Sequence, residues 1–171
     1  LKYVNLVICV DDLCPLNTGK FLIDNFKTNG VKVIHHKINK GVGAAFKTGL
    51  KYASEHGIEV VIKIDSDGQM DPKYIPSLAS IVISGKCCIC KGNRLSRVED
   101  LVSMPRVRLI GNILLSYITK MTTGYWELFD PTNGFFAYRV NTLRLSELEK
   151  TNDRYFFETD LLFRCSLENI Y

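Results

Sequence analysis

The sequence predicts an α/β domain, a mainly parallel Rossmann-like sheet flanked by helices. Two observations carry that prediction. Apolar, strand-like runs alternate with helix-length segments along the 171 residues, the pattern of βαβ units. The run Val60-Val61-Ile62-Lys63-Ile64 is aliphatic except at Lys63, as in a parallel strand covered on both faces. It ends in Asp65-Ser66-Asp67-Gly68, at the carboxyl end of a strand, where open α/β sheets bind ligands.

Each element has its own signal. Residues 3–10 are strand-like and run into Asp11-Asp12. Asn17 or Thr18 is the expected cap of a helix that stops at Asn29-Gly30. Val31 to Ile34 is the next strand. From Gly41 to His56 the apolar residues Val42, Ala45, Phe46, Leu50 and Ala53 share one helical face, and Gly57 ends the helix. The strand 58–64 follows. Asp71-Pro72 reads as a cap with proline at the first helical position, opening a helix that runs to Ser84 and stops at Gly85. Lys86 to Gly92 and Phe135 to Val140 are strand-like. Helices are expected from Pro105 to Thr122, Asn141 to Lys150 and Phe157 to Glu168.

Composition bounds the classes. Hydrophobic residues make up 46% and charged residues 23%, ordinary for one globular domain spanning residues 1–171. The net charge of +4 does not call for nucleic acid; it suits a polyanionic small substrate or an anionic membrane surface. No run approaches the ~20 continuous apolar residues of a membrane span, and no signal peptide is visible. The cysteines Cys87, Cys88 and Cys90 lie in an apolar strand-like segment and read as small hydrophobes, in keeping with a reducing, cytoplasmic setting.

Asp65 and Asp67 carry the chemistry. Carboxylates one residue apart repel unless a cation lies between them, and oxygen donors of this kind suit Mg²⁺ or Mn²⁺ shared with phosphate oxygens. A plain acidic turn is the bland alternative. An EF-hand loop is excluded, because the glycine comes too early and position twelve is Pro76. Gly41-Val42-Gly43 lacks the third glycine of a dinucleotide fingerprint, and Gly19-Lys20 has Cys14 where a P-loop needs glycine. Residues Asn39 to Gly43 read either as a turn that starts a helix or as backbone N–H groups facing a diphosphate. His35, His36 and His56 read as surface or satisfied histidines.

In order along the chain, these segments resemble the family 2 glycosyltransferases of the GT-A fold, and most closely their polyprenyl-phosphate sugar transferases. Val10-Asp11-Asp12 resembles the family's V-D-D, and Asn39-Lys40-Gly41-Val42-Gly43-Ala44-Ala45 its N-x-G-x-G-A-A. Asp65 to Pro72 matches D-x-D-G-Q-x-D-P, and Lys91-Gly92-Asn93-Arg94 resembles G-S/N-R. Asp130-Pro131-Thr132-Asn133-Gly134-Phe135 resembles D-P-T-N-G-F/Y, and Phe157-Glu158-Thr159-Asp160 stands at the family's E-D segment. Three departures accompany the match. The family's opening P-x-Y-N-E strand has no counterpart here, so the first strand is expected to be missing. Leu13-Cys14-Pro15 replaces the usual G-S after Asp12, and Phe157-Glu158 replaces the Glu-Asp pair.

The resemblance implies inverting transfer of a sugar from a nucleotide-diphosphate donor. It assigns Asp67, Asp65 and Gln69 to Mg²⁺ or Mn²⁺, although Gln69 also reads as a turn residue. It assigns Asp11, Asp12, Lys40, Gly41, Asp65, Ser66, Asn133 and Gly134 to the nucleotide sugar. Glu158 fills the position of the base for a hydroxyl acceptor. A polyprenyl phosphate is already an anion and needs cations instead, for which Arg94 and Arg108, with Arg97, are the candidates. The polyprenyl acceptor implies work at the cytoplasmic face of a membrane. The alternatives are transfer to a growing surface polysaccharide, a metal-dependent phosphatase of the D-x-D-G type, and a non-catalytic nucleotide-sugar binding module.

Overall fold

A computed structural model describes residues 2–26, 30–93 and 106–170. The described elements are β1 (Val7–Asp11), α1 (Thr18–Asn25), β2 (Val31–His35), α2 (Val42–Glu55), β3 (Val60–Lys63), a 3₁₀ turn (Pro72–Tyr74), α3 (Ile75–Ile83), β4 (Ile89–Lys91), α4 (Arg106–Thr123), β5 (Phe136–Arg139), α5 (Leu145–Glu149) and α6 (Phe157–Leu167). The expected alternation is present, and most strands are shorter than the apolar runs that announce them.

The α/β class holds, and among the described strands two of the three ladders run against the parallel expectation. β1 and β2 pair in parallel, Val7 opposite Val31 through Asp11 opposite His35. β3, β5 and β4 form a three-stranded sheet in that order, with β5 antiparallel to both neighbours. The entry to β5 explains its direction. Asn133 bonds the backbone at Gly92, just past β4, and Gly134 lies against Asp65, just past β3. The chain therefore comes into the sheet at the carboxyl ends of β3 and β4 and must run back between them.

β5 is also where the core is densest. Its side chains alternate across the sheet. Phe136 and Tyr138 join Leu50, Ala53, Phe157, Leu161 and Cys165, which brings in α2 and α6. Phe135 and Ala137 join Ile75, Leu78 and Val82 of α3 on the other face. Phe46 meets the rings of Phe136 and Phe157 at 5.4 Å, binding α2 to both. β3, in contrast, is half-buried along its length rather than fully covered.

The helix ends follow the sequence only in part. Asp71 caps the 3₁₀ turn by accepting from Lys73 N at 3.0 Å, with Pro72 in the first position. Asn17 does not cap α1 with its side chain; it takes a left-handed conformation. Asp11 accepts from Gly19 N instead, at 2.9 Å, so a β1 carboxylate serves the first turn of α1.

Tyr138 is fully buried and accepts from Leu143 N at 3.1 Å. Tyr138→Phe strands that amide and is expected to cost about 1–3 kcal/mol of unfolding free energy in a urea titration; an unchanged midpoint would contradict the bond.

Candidate active site

The site is a corner at the carboxyl end of β3. Lys63, the last residue of that strand, donates from Nζ to Asp65 Oδ1 at 2.6 Å and to Glu158 Oε1 at 3.4 Å. The lysine and glutamate side chains are each 9% exposed, whereas Asp65 is 34% exposed. The Phe157 ring lies under the ammonium, 5.4 Å from Nζ to the ring centre. A Cβ on Gly134 would stand 2.3 Å from Asp65 Oδ2 and 2.5 Å from Lys63 Nζ, so any side chain there would displace this ion pair. Burial raises the Glu158 pKa above its usual range, and Lys63 and Lys91 oppose the rise without cancelling it.

Asp67, two residues past Asp65, is exposed to solvent. Its Oδ1 accepts from Gln69 N at 3.0 Å in a turn that Gly68 closes with φ of 75°. Ser66 and Gln69 are exposed beside it. Gln69 contributes a backbone donor here, as its turn reading expects. Among the described residues no group of three or more His, Cys, Asp or Glu side chains forms a metal cage. Mg²⁺ and Mn²⁺ do not require one: such ions commonly take one or two carboxylates and complete their shell with water and substrate phosphates. An exposed Asp67 beside a part-exposed Asp65 fits that use, with Lys63 the competing cation at Asp65.

The remaining nucleotide-site candidates are committed within the protein. Asp11 accepts from Cys14 N at 2.7 Å and Gly19 N at 2.9 Å. The bond from Cys14, with that from Gly19 and the nearby His35, holds its carboxyl below the usual range against the cost of burial. Asp12 accepts from His36 Nδ1 and Gly41 N at 2.6 Å and from Lys40 N at 2.9 Å. With His36 Nδ1 donating, its Nε2 accepts from Thr48 Oγ1 at 2.9 Å, so His36 is satisfied. Asp153 O receives Gly43 N and Ala44 N at 2.8 and 3.1 Å. The first amides of α2 are thereby capped by the protein, as the turn reading of residues 39–43 expects; the Lys40 side chain stays exposed.

Asn133 is likewise bonded within the fold. It is 4% exposed, donates to Gly92 O at 2.8 Å and accepts from Phe135 N at 3.0 Å. Arg94 and Arg97 fall outside the described residues; Arg108 lies in the first turn of α4, and its side chain is outside them too.

The profile of glycosyl transferase family 2 matches residues 4–145. The chain belongs to this family. The family 2 chain has the family's GT-A, Rossmann-like α/β fold. It is 31% identical over 153 residues to an uncharacterized protein of Methanocaldococcus jannaschii, covering 90% of this chain and 60% of the relative. It is 33% identical over 125 residues to UDP-N-acetylglucosamine–dolichyl-phosphate N-acetylglucosaminyltransferase of Methanococcus voltae, covering 73% and 49%. Against undecaprenyl-phosphate mannosyltransferase of Micrococcus luteus the identity is 30% over 160 residues, covering 92% and 65%. The chain thus spans between 49% and 65% of these relatives' lengths.

Three features of this family 2 chain were missed in the sequence. Lys63 reads there as an interruption of a strand, although a lone charge in an aliphatic run next to two aspartates is the available signal. A cavity of about 700 Å³ lies along β4, walled by Cys90, Gly92, Asn93, Tyr125, Trp126 and Phe129; nothing in the local pattern marks it. Cys87 and Cys90 stand at C-x-x-C spacing, which the reading as small hydrophobes passes over. All six thiols are free, and burial pushes Cys90 up to about 11, which disfavours its thiolate.

The Asp12 pKa carries a pH prediction. Burial raises it, and the bonds from Lys40 N, His36 and Gly41 N outweigh that and bring it below the usual range. A folded pKa below the unfolded one adds stability above the unfolded value, about pH 4, and that stability is lost as pH falls through the folded value. Asp12→Asn should therefore cost more stability at pH 7 than at pH 2 in denaturant titrations. Equal costs at both would contradict the assignment.

Proposed function

We propose that this chain carries the donor-binding part of an inverting glycosyltransferase that moves a sugar from a nucleotide diphosphate to a polyprenyl phosphate. The observation that carries the reading is the acidic corner of Asp65 and Asp67 at the carboxyl end of β3, in a chain of family 2. Two relatives named for dolichyl-phosphate and undecaprenyl-phosphate transfer support the acceptor class.

The chemistry is a single displacement. A phosphate oxygen of the acceptor bonds to the anomeric carbon from the face opposite the leaving group. The bond from that carbon to the diphosphate breaks, and its electron pair leaves on the diphosphate oxygen. Asp67 and Asp65 would hold Mg²⁺ or Mn²⁺, which supplies neutralisation of the charge gathering on the departing diphosphate. Gly134 keeps the floor of the corner open beside Asp65. The anionic acceptor needs no general base.

A lipid-borne acceptor requires a surface that meets lipid. No described helix is long and apolar enough to cross a membrane. α4 nevertheless exposes Val107, Ile110, Leu114, Tyr117 and Met121 at helical spacing, and its charged residues are all basic. That combination suits the interface of an anionic membrane, and supports work at the cytoplasmic face. One observation favours the surface-polysaccharide alternative: the raised pKa of Glu158 brings it nearer the range of a working base for a hydroxyl acceptor.

Asp67→Ala is expected to abolish Mn²⁺-dependent thermal stabilisation by nucleotide sugars. It should slow transfer at least ~100-fold, the scale of one preorganised electrostatic contact; unchanged Mn²⁺-dependent donor binding would defeat the site. The acceptor is tested by competition. The protein should glycosylate polyprenyl phosphate in preference to free saccharides, and the reverse preference would favour the polysaccharide reading.

A further inference from the structure

Lys63 sits where an aliphatic residue would complete the strand, and its ammonium is nearly buried between two carboxylates. The geometry points to Lys63 as a resident counterion of the metal corner, holding Asp65 until a divalent cation takes that carboxylate and then passing to Glu158. This rests on reading Asp65 and Asp67 as the metal's carboxylates.

The asymmetry of the contacts carries the inference. Nζ is fully bonded to Asp65 at 2.6 Å and only loosely to Glu158 at 3.4 Å. A second acceptor is therefore already at hand, in the more buried position. The surroundings form a slot for the ammonium: Gly134 offers no Cβ, and the Phe157 ring lies beneath at cation–π range. Asp67 is different, since among the described residues it has no ion pair. Of the two carboxylates one is open and one is capped by the protein's own cation.

A divalent ion taking Asp65 would meet that cation on the same carboxylate. Repulsion between ammonium and metal at a shared carboxylate is strong in a partly desolvated corner. Lys63 cannot leave for solvent without uncovering Glu158, so the short step onto Glu158 relieves both groups. Metal loading would then shift one positive charge from Asp65 to the foot of α6. Lys63 is a positioning residue in this scheme, acting on the metal site through Asp65.

The test measures Mn²⁺ binding without donor, by electron paramagnetic resonance of free Mn²⁺, on the whole protein. Lys63→Met is expected to bind Mn²⁺ about tenfold more tightly than the parent, the effect of deleting one charge-assisted competitor, and Asp67→Ala to lose binding. Parent-like or weaker affinity in Lys63→Met, with Asp67→Ala still defective, overturns the counterion role alone. Parent-like binding in both Asp67→Ala and Asp65→Asn overturns the metal site itself. A second measurement needs no variant. In a crystal structure of the parent with Mn²⁺, Nζ should lie beyond 4 Å from Asp65 and within hydrogen-bond distance of Glu158. Nζ remaining on Asp65 beside bound Mn²⁺ overturns the inference.

Discussion

The arrangement of this molecule turns on one nearly buried ammonium. A lysine at the end of β3 must find anions, because an unpaired charge out of water is prohibitively costly. Asp65 supplies one from the same chain exit, and Glu158 the other from α6. That second contact brings the start of α6 to the sheet's carboxyl end and sets Phe157 into the core beside Phe46 and Phe136. It also leaves no room above the ammonium, so the chain entering β5 passes there as Gly134. Strand end, helix start and the return of β5 meet at one point.

A second set of contacts fixes the loops around that point. Asp12 gathers the backbone of Lys40 and Gly41 and the ring of His36, tying β1 to the start of α2. Lys47 reaches from α2 to Asp153 at 2.6 Å and to the carbonyls of Glu149 and Thr151. The Asp153 carbonyl then caps α2. The positive end of α2 is thus answered within the fold. The exposed acids at the β3 corner, Asp67 and the part-exposed Asp65, stand apart from these internally answered groups.

Much of this was legible in the residues, and the failures have physical causes. Element types and order follow from periodicity, and the Asp71-Pro72 start from capping chemistry. The Asp65–Asp67 corner follows from placing acids at a strand's exit. Asn17 misled because its backbone turned left-handed, so the carboxylate of Asp11 took over the cap from eight residues away. The direction of β5 was hidden because Phe135 to Val140, apolar but for Arg139, reads as a strand in either orientation. Asn133 and Gly41, read in the sequence for the nucleotide sugar, also have work within the fold that the pattern does not show: one joins the ends of two strands, the other bends the chain at φ 102° beside Asp153. Motifs record which residues are needed, and contacts reveal whether the need is for ligand or for loop.

Stability alone does not account for the Lys63 cluster. Exchanging a buried ion group for apolar side chains of similar volume is often neutral or stabilising, and the rest of β3 is valine and isoleucine. An aliphatic residue at 63, with an apolar partner in place of Glu158, would complete the strand at no evident loss to the core. What such a change would remove is a fixed orientation for Asp65. A part-exposed carboxylate next to a second one, with no cation nearby, would be pushed outward by repulsion and by its own hydration. The ammonium holds it inward, over Gly134 and within reach of whatever enters the corner. Under the counterion proposal its worth lies in fixing and neutralising Asp65 while the corner holds no divalent ion, at a cost in metal affinity that Lys63→Met would recover.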